Sequence, residues 1–230
     1  MAYKLPRKGI VDALAYCTPN SVSPLFCSLV VKYSKDHKQA TISLRLSIPI
    51  SGFDPEQSIT LYYDANNLVP GETSLGSAAV LPSQDQLRKI VQQGKCELKT
   101  LSLVLRNHCS VEGPSVKKIA PKKSSESCFY LLADLAQATT VYILFDYNSF
   151  SKDEQARFEH CIEHIGDLTS FRVGSDYAKR PKLPDWTIFR PAEEVDFEQP
   201  PPYACTSRKR SKDGESTRLH GSFIRLTAFL

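Results

Sequence analysis

Three apolar runs in the first third of the chain constrain its fold more than any other feature. They read LFCSLVVKYS (25–34), ATISLRLSIPI (40–50) and SITLYYD (58–64). In the second run Leu44 and Leu46 alternate with polar residues such as Arg45, which is the period of a half-buried strand. The polar link at 35–39 allows the first two runs to pair as a hairpin. We therefore expect residues 20–70 to form the β-rich half of a sheet.

The rhythm changes after residue 80, where helical and strand patterns alternate. Capping residues and helical spacing predict helices at 83–93, 128–138 and 150–166. Apolar runs predict strands at 97–107, 139–147 and 168–173. The segment KGIVDALAYC (8–17) also has helical spacing. This order predicts an α+β fold, or alternatively an α/β fold, in which a mixed sheet carries about three helices from the alternating region, residues 82–173.

Prolines and polar residues break the pattern from Gly174 onward. One apolar group remains there, DWTIF (185–189), and we expect it to anchor back onto the body. We therefore predict a single globular domain over residues 1–191 and a disordered, Pro-rich, basic tail over residues 192–230.

The positive charge of the chain is concentrated near its end. The net charge is +4, and residues 205–230 carry six basic and two acidic residues, so the remainder is neutral. A neutral body argues against a wide face that grips a phosphate backbone.

Cysteine usage and the N-terminal sequence indicate a compartment. The chain has seven cysteines, none in a CxxC pair, and its first residues lack the apolar core of a secretory signal. No apolar run approaches the length that spans a bilayer. We expect an intracellular protein of nucleus or cytoplasm, not secreted and not membrane-bound, with mostly buried free thiols.

A Pro-rich motif lies in the predicted tail. Pro200, Pro201, Pro202 and Tyr203 fit P-P-x-Y, the ligand of WW domains. Consecutive prolines favour the polyproline II conformation that lies between aromatic side chains of a groove. The sequence predicts docking to a WW-domain protein, for which a ubiquitin ligase is the obvious class. A passive Pro-rich spacer is the alternative.

A basic cluster follows that motif. Arg208, Lys209, Arg210 and Lys212 fit a short nuclear-import pattern, which predicts binding to a nuclear import receptor. The alternative is a solvated run of charges.

A second basic group lies in the loop before the second predicted helix. Lys117, Lys118, Lys122 and Lys123 could contact the phosphates of a nucleic acid. No aromatic platform accompanies them in the sequence, so an exposed loop is the alternative.

One pattern resembles a metal site. His160, Glu163 and His164 fit H-x-x-E-H, in which two imidazoles on one helix face bind zinc and the carboxylate activates water. A third ligand must come from elsewhere, and the alternative is a polar face of a helix whose other face packs. Asp64 and Asp146, each at the end of a strand, could form a carboxylate pair if those strands were neighbours; caps and turns are the alternative.

Several phrases together resemble a multi-copy group of proteins from filamentous fungi that has no assigned biochemical function. They are LYYDANNLVPG (61–71), KTLSLVLRNHC (99–109), DWTIFRP (185–191) and PPPYACTSRKR (200–210). The resemblance implies an intracellular fungal protein and carries over no chemistry. Members of that group continue into a long Ser/Pro-rich tail, whereas this chain reads SKDGESTRLHGSFIRLTAFL (211–230), so the resemblance implies a truncated or frame-altered end.

Taken together, these patterns predict a non-enzymatic interaction or adaptor protein, with no catalytic residue, no resident metal and no cofactor. The sequence contains no dinucleotide fingerprint, P-loop, nucleophile elbow or kinase signature. A nucleic-acid-associated nuclear factor is the first alternative, and a metal-dependent hydrolase that uses the H-x-x-E-H helix is the second.

Overall fold

Eight strands form one continuous sheet in the structure, a computed structural model that describes residues 10–19, 23–78, 82–91, 96–116, 118–171 and 186–189. The strands are β1 Ile10–Tyr16, β2 Leu25–Ser34, β3 Gln39–Ile48, β4 Gln57–Asp64, β5 Ser74–Ser77, β6 Leu98–Val104, β7 Ser110–Glu112 and β8 Thr140–Asp146. Their order across the sheet is β5-β6-β8-β1-β2-β3-β4-β7.

Three α-helices accompany the sheet in the described ranges: α1 Gln84–Ile90, α2 Glu126–Gln137 and α3 Lys152–Glu163. Short 3-10 turns lie at Ala65–Asn67, Lys123–Ser125, Tyr147–Ser149, Ile165–Asp167 and Trp186–Phe189. This content confirms the α+β class. No helix among the described residues is both long and apolar enough to cross a membrane.

The sheet pairing differs from the mixed arrangement that the sequence suggested. Every pairing between the described strands is antiparallel. Strands β1 to β4 follow one another as a meander, and β8 returns on the other side of β1. Helix α1 connects β5 to β6, which pair antiparallel, and helix α2 connects β7 to β8, which are not neighbours in the sheet, so the alternation of helix and strand does not produce βαβ units.

The two faces of the sheet are covered differently. One face carries the main core, in which apolar side chains such as Leu29 and Leu44 pack with Phe129 of α2 and Phe158 of α3. On the other face a smaller cluster lies under α1 and consists of Leu14, Tyr16, Ile90 and Leu144.

The helix predicted at 8–17 is wrong, because this segment forms β1. The strand lies between β2 and β8, so that Ala13 pairs with both Cys27 and Phe145. It is covered on both faces, by α2 and α3 on one and by α1 on the other. A strand buried on both faces needs apolar residues at successive positions, so it loses the two-residue period and resembles a helix.

The last predicted strand, at 168–173, is also wrong within the described residues. A 3-10 turn ends at Asp167, and Thr169 then makes one isolated bridge to Gln39. The backbone amide of Thr169 donates to the carbonyl of Lys38, and that of Ala40 donates to the carbonyl of Thr169. This single contact fixes the chain beside β3 without extending the sheet.

Other predicted elements are present. The β2–β3 hairpin is confirmed, and α1 and α3 begin with capping boxes at Ser83 and Ser151. Ile188 and Phe189 are buried, and the ring of Phe189 lies 5.4 Å from that of Phe129, in agreement with the predicted anchor. The predicted tail, 192–230, lies outside the described residues.

Candidate binding groove beside helix α3

Helix α3 places polar side chains beside the end of β2. Its capping box satisfies the first turn, because Ser151 Oγ accepts from the Glu154 amide and Glu154 Oε2 accepts from the Ser151 amide. The helix buries Phe158, Cys161 and Ile162 against the sheet. Arg157 and His160 are therefore held at the edge of the packed face.

A hydrogen bond joins the two elements at that edge. Tyr33 lies near the end of β2, and its hydroxyl is 2.8 Å from Nδ1 of His160, a contact across 127 positions of sequence. The Tyr33 side chain lies on the same face of β2 as Leu29, which is two strand periods away. That face carries the core in which α3 packs, so Tyr33 faces α3. Burial raises the pKa of the Tyr33 hydroxyl. The bond thus fixes the position of α3 over β2.

Two adjoining hollows open beside this contact and share Tyr33 and Arg157 in their walls. One, of about 380 Å³, is lined by aromatic and aliphatic side chains together with Lys32 and Glu154, and the other, of about 510 Å³, is lined by a larger share of polar residues. The apolar wall is formed by Val31, Phe150, Phe158 and Phe171. The polar wall is formed by Ser34, Lys35, Asp36 and His160. We call this combined surface, Tyr33 and Arg157 included, the Tyr33 groove.

The rim of the Tyr33 groove carries more positive than negative charge. Lys32, Lys35 and Arg157 are exposed at it, as is the carboxylate of Asp36. The other carboxylate, that of Glu154, already accepts hydrogen bonds from the Ser151 amide and hydroxyl at 2.9 and 2.7 Å. The groove therefore combines an apolar floor with a rim that favours an anionic ligand.

The residues of the H-x-x-E-H pattern adopt a different arrangement from that of a zinc site. The rings of His160 and His164 stack, with centroids 4.1 Å apart and planes inclined by 15°. Imidazole lone pairs lie in the ring plane, so those of two nearly parallel rings do not converge on one ion. Glu163 is exposed at the end of α3. In the described ranges no three His, Cys, Asp or Glu residues are grouped closely enough to hold a metal.

The loop lysines are spread along the surface. Lys122 Nζ lies 2.6 Å from Asp54 Oδ1. Lys122 directly precedes the 3-10 turn Lys123–Ser125, which leads into α2. Lys118 and Lys123 are exposed, and Lys117 lies outside the described residues. A phosphate would have to compete with Asp54 for Lys122, which weakens the nucleic-acid hypothesis at this loop.

The strand-end carboxylates are not neighbours. Asp64 ends β4 and Asp146 ends β8, and three strands lie between them in the sheet. Asp146 accepts from the amides of Glu97 and Asn148 at 3.0 and 3.1 Å, so it caps the turn after its strand. The capping interpretation of Asp146 is confirmed.

The tail motifs fall outside the described residues. This applies to Pro200, Pro201, Pro202 and Tyr203 of the P-P-x-Y motif and to the basic cluster of Arg208, Lys209, Arg210 and Lys212.

Sequence reasoning missed a second polar cluster. Lys99 Nζ lies 3.5 Å from the centroid of the Tyr147 ring and 3.4 Å from Glu159 Oε1. The Tyr147 hydroxyl donates to the same carboxylate oxygen at 2.7 Å. Burial, and then the bond to Glu159, raise the pKa of Tyr147, while the bond from Tyr147 lowers the pKa of Glu159. The cluster ties β6 and the turn after β8 to α3.

The Tyr33 groove was missed for a similar reason. The alternation of Val31 and Tyr33 in the first apolar run, 25–34, places both on the core face of β2, and this signal is present in the sequence. What brings Arg157 and Phe171 beside them is the packing of α3 over β2, which a local pattern does not encode.

Comparison of the chain with protein-family models, with curated proteins and with solved structures gives no match. The resemblance to the fungal group therefore stays a prediction.

Proposed function

We propose that this chain is a non-enzymatic interaction protein with two binding parts. The folded body is a protein-binding platform that uses the Tyr33 groove, and the tail carries the P-P-x-Y docking motif and a nuclear-targeting cluster. The observation that carries the proposal is the groove itself, in which the half-buried side chains of Val31 and Phe171 lie beside exposed cations at the junction of β2 and α3. Apolar pockets with a few charged groups at the rim suit the anchor side chain of a protein partner.

The bonding of the polar residues supports a structural rather than a catalytic role for them. His160 is bonded to Tyr33, Lys122 to Asp54, and Glu159 to Tyr147 and Lys99. Each bond connects elements that are distant in sequence, so each helps to hold the fold. Glu163, the candidate base of the hydrolase hypothesis, is exposed; it lines a hollow with His164, whereas His160 lines a different one.

The tail motifs supply the second half of the proposal. A WW-domain protein, such as a ubiquitin ligase of that class, would bind Pro200–Tyr203, and an import receptor would bind the Arg208–Lys212 cluster. The protein would then act in the nucleus or cytoplasm, where it would bring a partner on its body close to a partner on its tail.

Capture by an isolated, immobilised WW domain tests the tail motif. We expect the intact chain to bind, and Tyr203→Ala to remove binding without a change in the midpoint of thermal unfolding. Tyr130→Phe, a change at an exposed tyrosine of α2, serves as the matched control. Equal capture of the intact chain and the Tyr203→Ala variant would contradict the docking motif.

Nuclear targeting needs a separate measurement. In cells, a fluorescent fusion of the chain should accumulate in the nucleus, and combined Lys209→Ala and Arg210→Ala should abolish that accumulation. Replacement of the exposed Lys89 and Lys123 by Ala controls for the loss of two positive charges elsewhere. Unchanged nuclear accumulation in the tail variant would remove the targeting part of the proposal.

A further inference from the structure

We propose that the Tyr33 groove binds an extended acidic peptide that pairs with the edge of β2 and places one aromatic or branched aliphatic side chain on the apolar floor. This inference rests on the proposed function, because it names the class of partner that the body of an interaction protein would take. It depends on three independent features of the groove: its floor, its charge and the strand edge beside it.

The floor is a rigid apolar surface. Phe150 and Phe158 are 5% and 2% exposed, and their ring centroids are 5.5 Å apart. Both rings also contact Phe145 in the core. Val31 and Phe171, which are half-buried, complete the wall. Because these rings are already packed, a ligand side chain would be buried without ordering the floor, which favours binding.

The charges at the rim select an acidic ligand. Lys32, Lys35 and Arg157 are exposed around the groove, where they outnumber the two carboxylates of Asp36 and Glu154. A carboxylate beside the anchor residue of the ligand could form a two-pronged contact with the Arg157 guanidinium, which is stronger than a contact with a lysine. A basic ligand would meet three like charges and only two opposite ones.

The strand edge determines that the ligand is extended. The pairing of β1 with β2 ends at Ile10 and Val30, whereas β3 remains paired with β2 as far as Ser34. Over Val31–Ser34, the edge of β2 that faces β1 therefore has no strand partner within the part of the chain that the structure describes. Open strand edges accept an extended peptide by β-augmentation, in which alternate side chains enter pockets on one face.

The shape of the groove agrees with this mode. Its two hollows adjoin at Tyr33 and Arg157, so one ligand can cross both of them. Strand residues rise by about 3.3 Å each, and side chains on one face recur every second residue. When the anchor side chain occupies the apolar hollow, the ligand side chain two residues further along therefore lies in the polar hollow, near Lys35 and His160.

Fluorescence polarisation on the full chain tests the inference directly. The probe is a fluorescein-labelled hexapeptide with one Phe flanked by Asp and Glu residues. We expect saturable binding that weakens as salt rises, because the charges are exposed. We also expect a peptide with Ala in place of Phe, and one with Asn and Gln in place of the acids, to bind at least about tenfold more weakly.

Charge-neutral variants locate the site. Arg157→Gln should weaken the probe about tenfold, and Arg157→Lys by less, because lysine keeps the charge and loses the two-pronged contact. Arg88→Gln, at an exposed arginine of α1, is the matched control and should bind as the parent chain does. Arg157 is exposed, so the Arg157→Gln variant should keep the parent's thermal midpoint.

Three outcomes would overturn the inference. They are no saturable binding of the probe, equal binding by Arg157→Gln, and binding that appears only after removal of residues 1–9, which would assign the strand edge to the chain's own N-terminal residues. Capture by the WW domain tests only the P-P-x-Y motif in the tail and does not involve the groove. If the WW domain captures the full chain but the acidic peptide does not bind it, both this inference and the platform role of the groove are rejected. The tail part of the proposed function would then remain in place.

Discussion

At the scale of single residues, Glu159 has the environment with the clearest consequence for stability. Its carboxylate accepts a hydrogen bond from Tyr147 and lies near Lys99, and these contacts lower its pKa below the ordinary value of 4.5. A carboxyl group whose pKa is lower in the folded state stabilises the fold above its unfolded pKa. That contribution is lost as the pH falls through the folded pKa.

We therefore expect Glu159→Gln to lower the thermal midpoint by a few degrees at neutral pH. The difference from the parent chain should shrink as the pH drops below about 4.5. Circular dichroism melts across the acidic range measure it. Glu163→Gln, on the same helix and exposed, is the control and should show no such trend. A difference that persists at low pH would mean that Glu159 acts through packing rather than charge.

The thiols give a second residue-scale prediction. Burial raises the pKa of Cys109 and of Cys161 to about 12 each, and Cys27 is also fully buried with a raised pKa. Cys96 is exposed. Because the thiolate is the reactive form, we expect Cys96 to be alkylated before these three in the native chain. Site-resolved mass spectrometry after timed alkylation measures the order, and early labelling of Cys27 would contradict the described core.

At the scale of elements, α3 depends on its capping box. The Ser151 hydroxyl accepts from the Glu154 amide, and this bond satisfies a group that the first helical turn leaves open. We expect Ser151→Ala to cost about 1 kcal/mol of the free energy of unfolding, measured by urea denaturation. Ser124→Ala, at an exposed serine in a 3-10 turn, is the control and should cost far less. Equal losses would deny Ser151 its capping role.

The elements also show how far sequence reasoning reaches. Strands β2 and β3 were predictable because each has a polar and an apolar side. Helix α3 was predictable because its capping residues and its apolar face can both be identified in the local sequence. Strand β1 was not, because burial on both faces removes the period that distinguishes a strand from a helix. The candidate site was less predictable still, since Tyr33 meets His160 across 127 positions of sequence.

At the scale of the whole molecule, β1 connects the two halves of the chain. It pairs with β2 of the N-terminal meander and with β8 of the later region, so one sheet unites segments that the sequence presents as separate. The α+β class followed from composition and pattern, whereas the antiparallel order did not. Helices between strands suggest parallel pairing, and only the tertiary structure shows that β8 runs opposite to β1.

We propose that the chain holds two partners at once, one on the body and one on the tail. Isothermal titration calorimetry tests it when the acidic hexapeptide is titrated into the full chain, first alone and then with a saturating WW domain present. We expect one peptide site with the same Kd in both titrations, and therefore a ternary complex. Peptide binding that the WW domain abolishes, or no peptide binding in either titration, would contradict an adaptor with two independent sites.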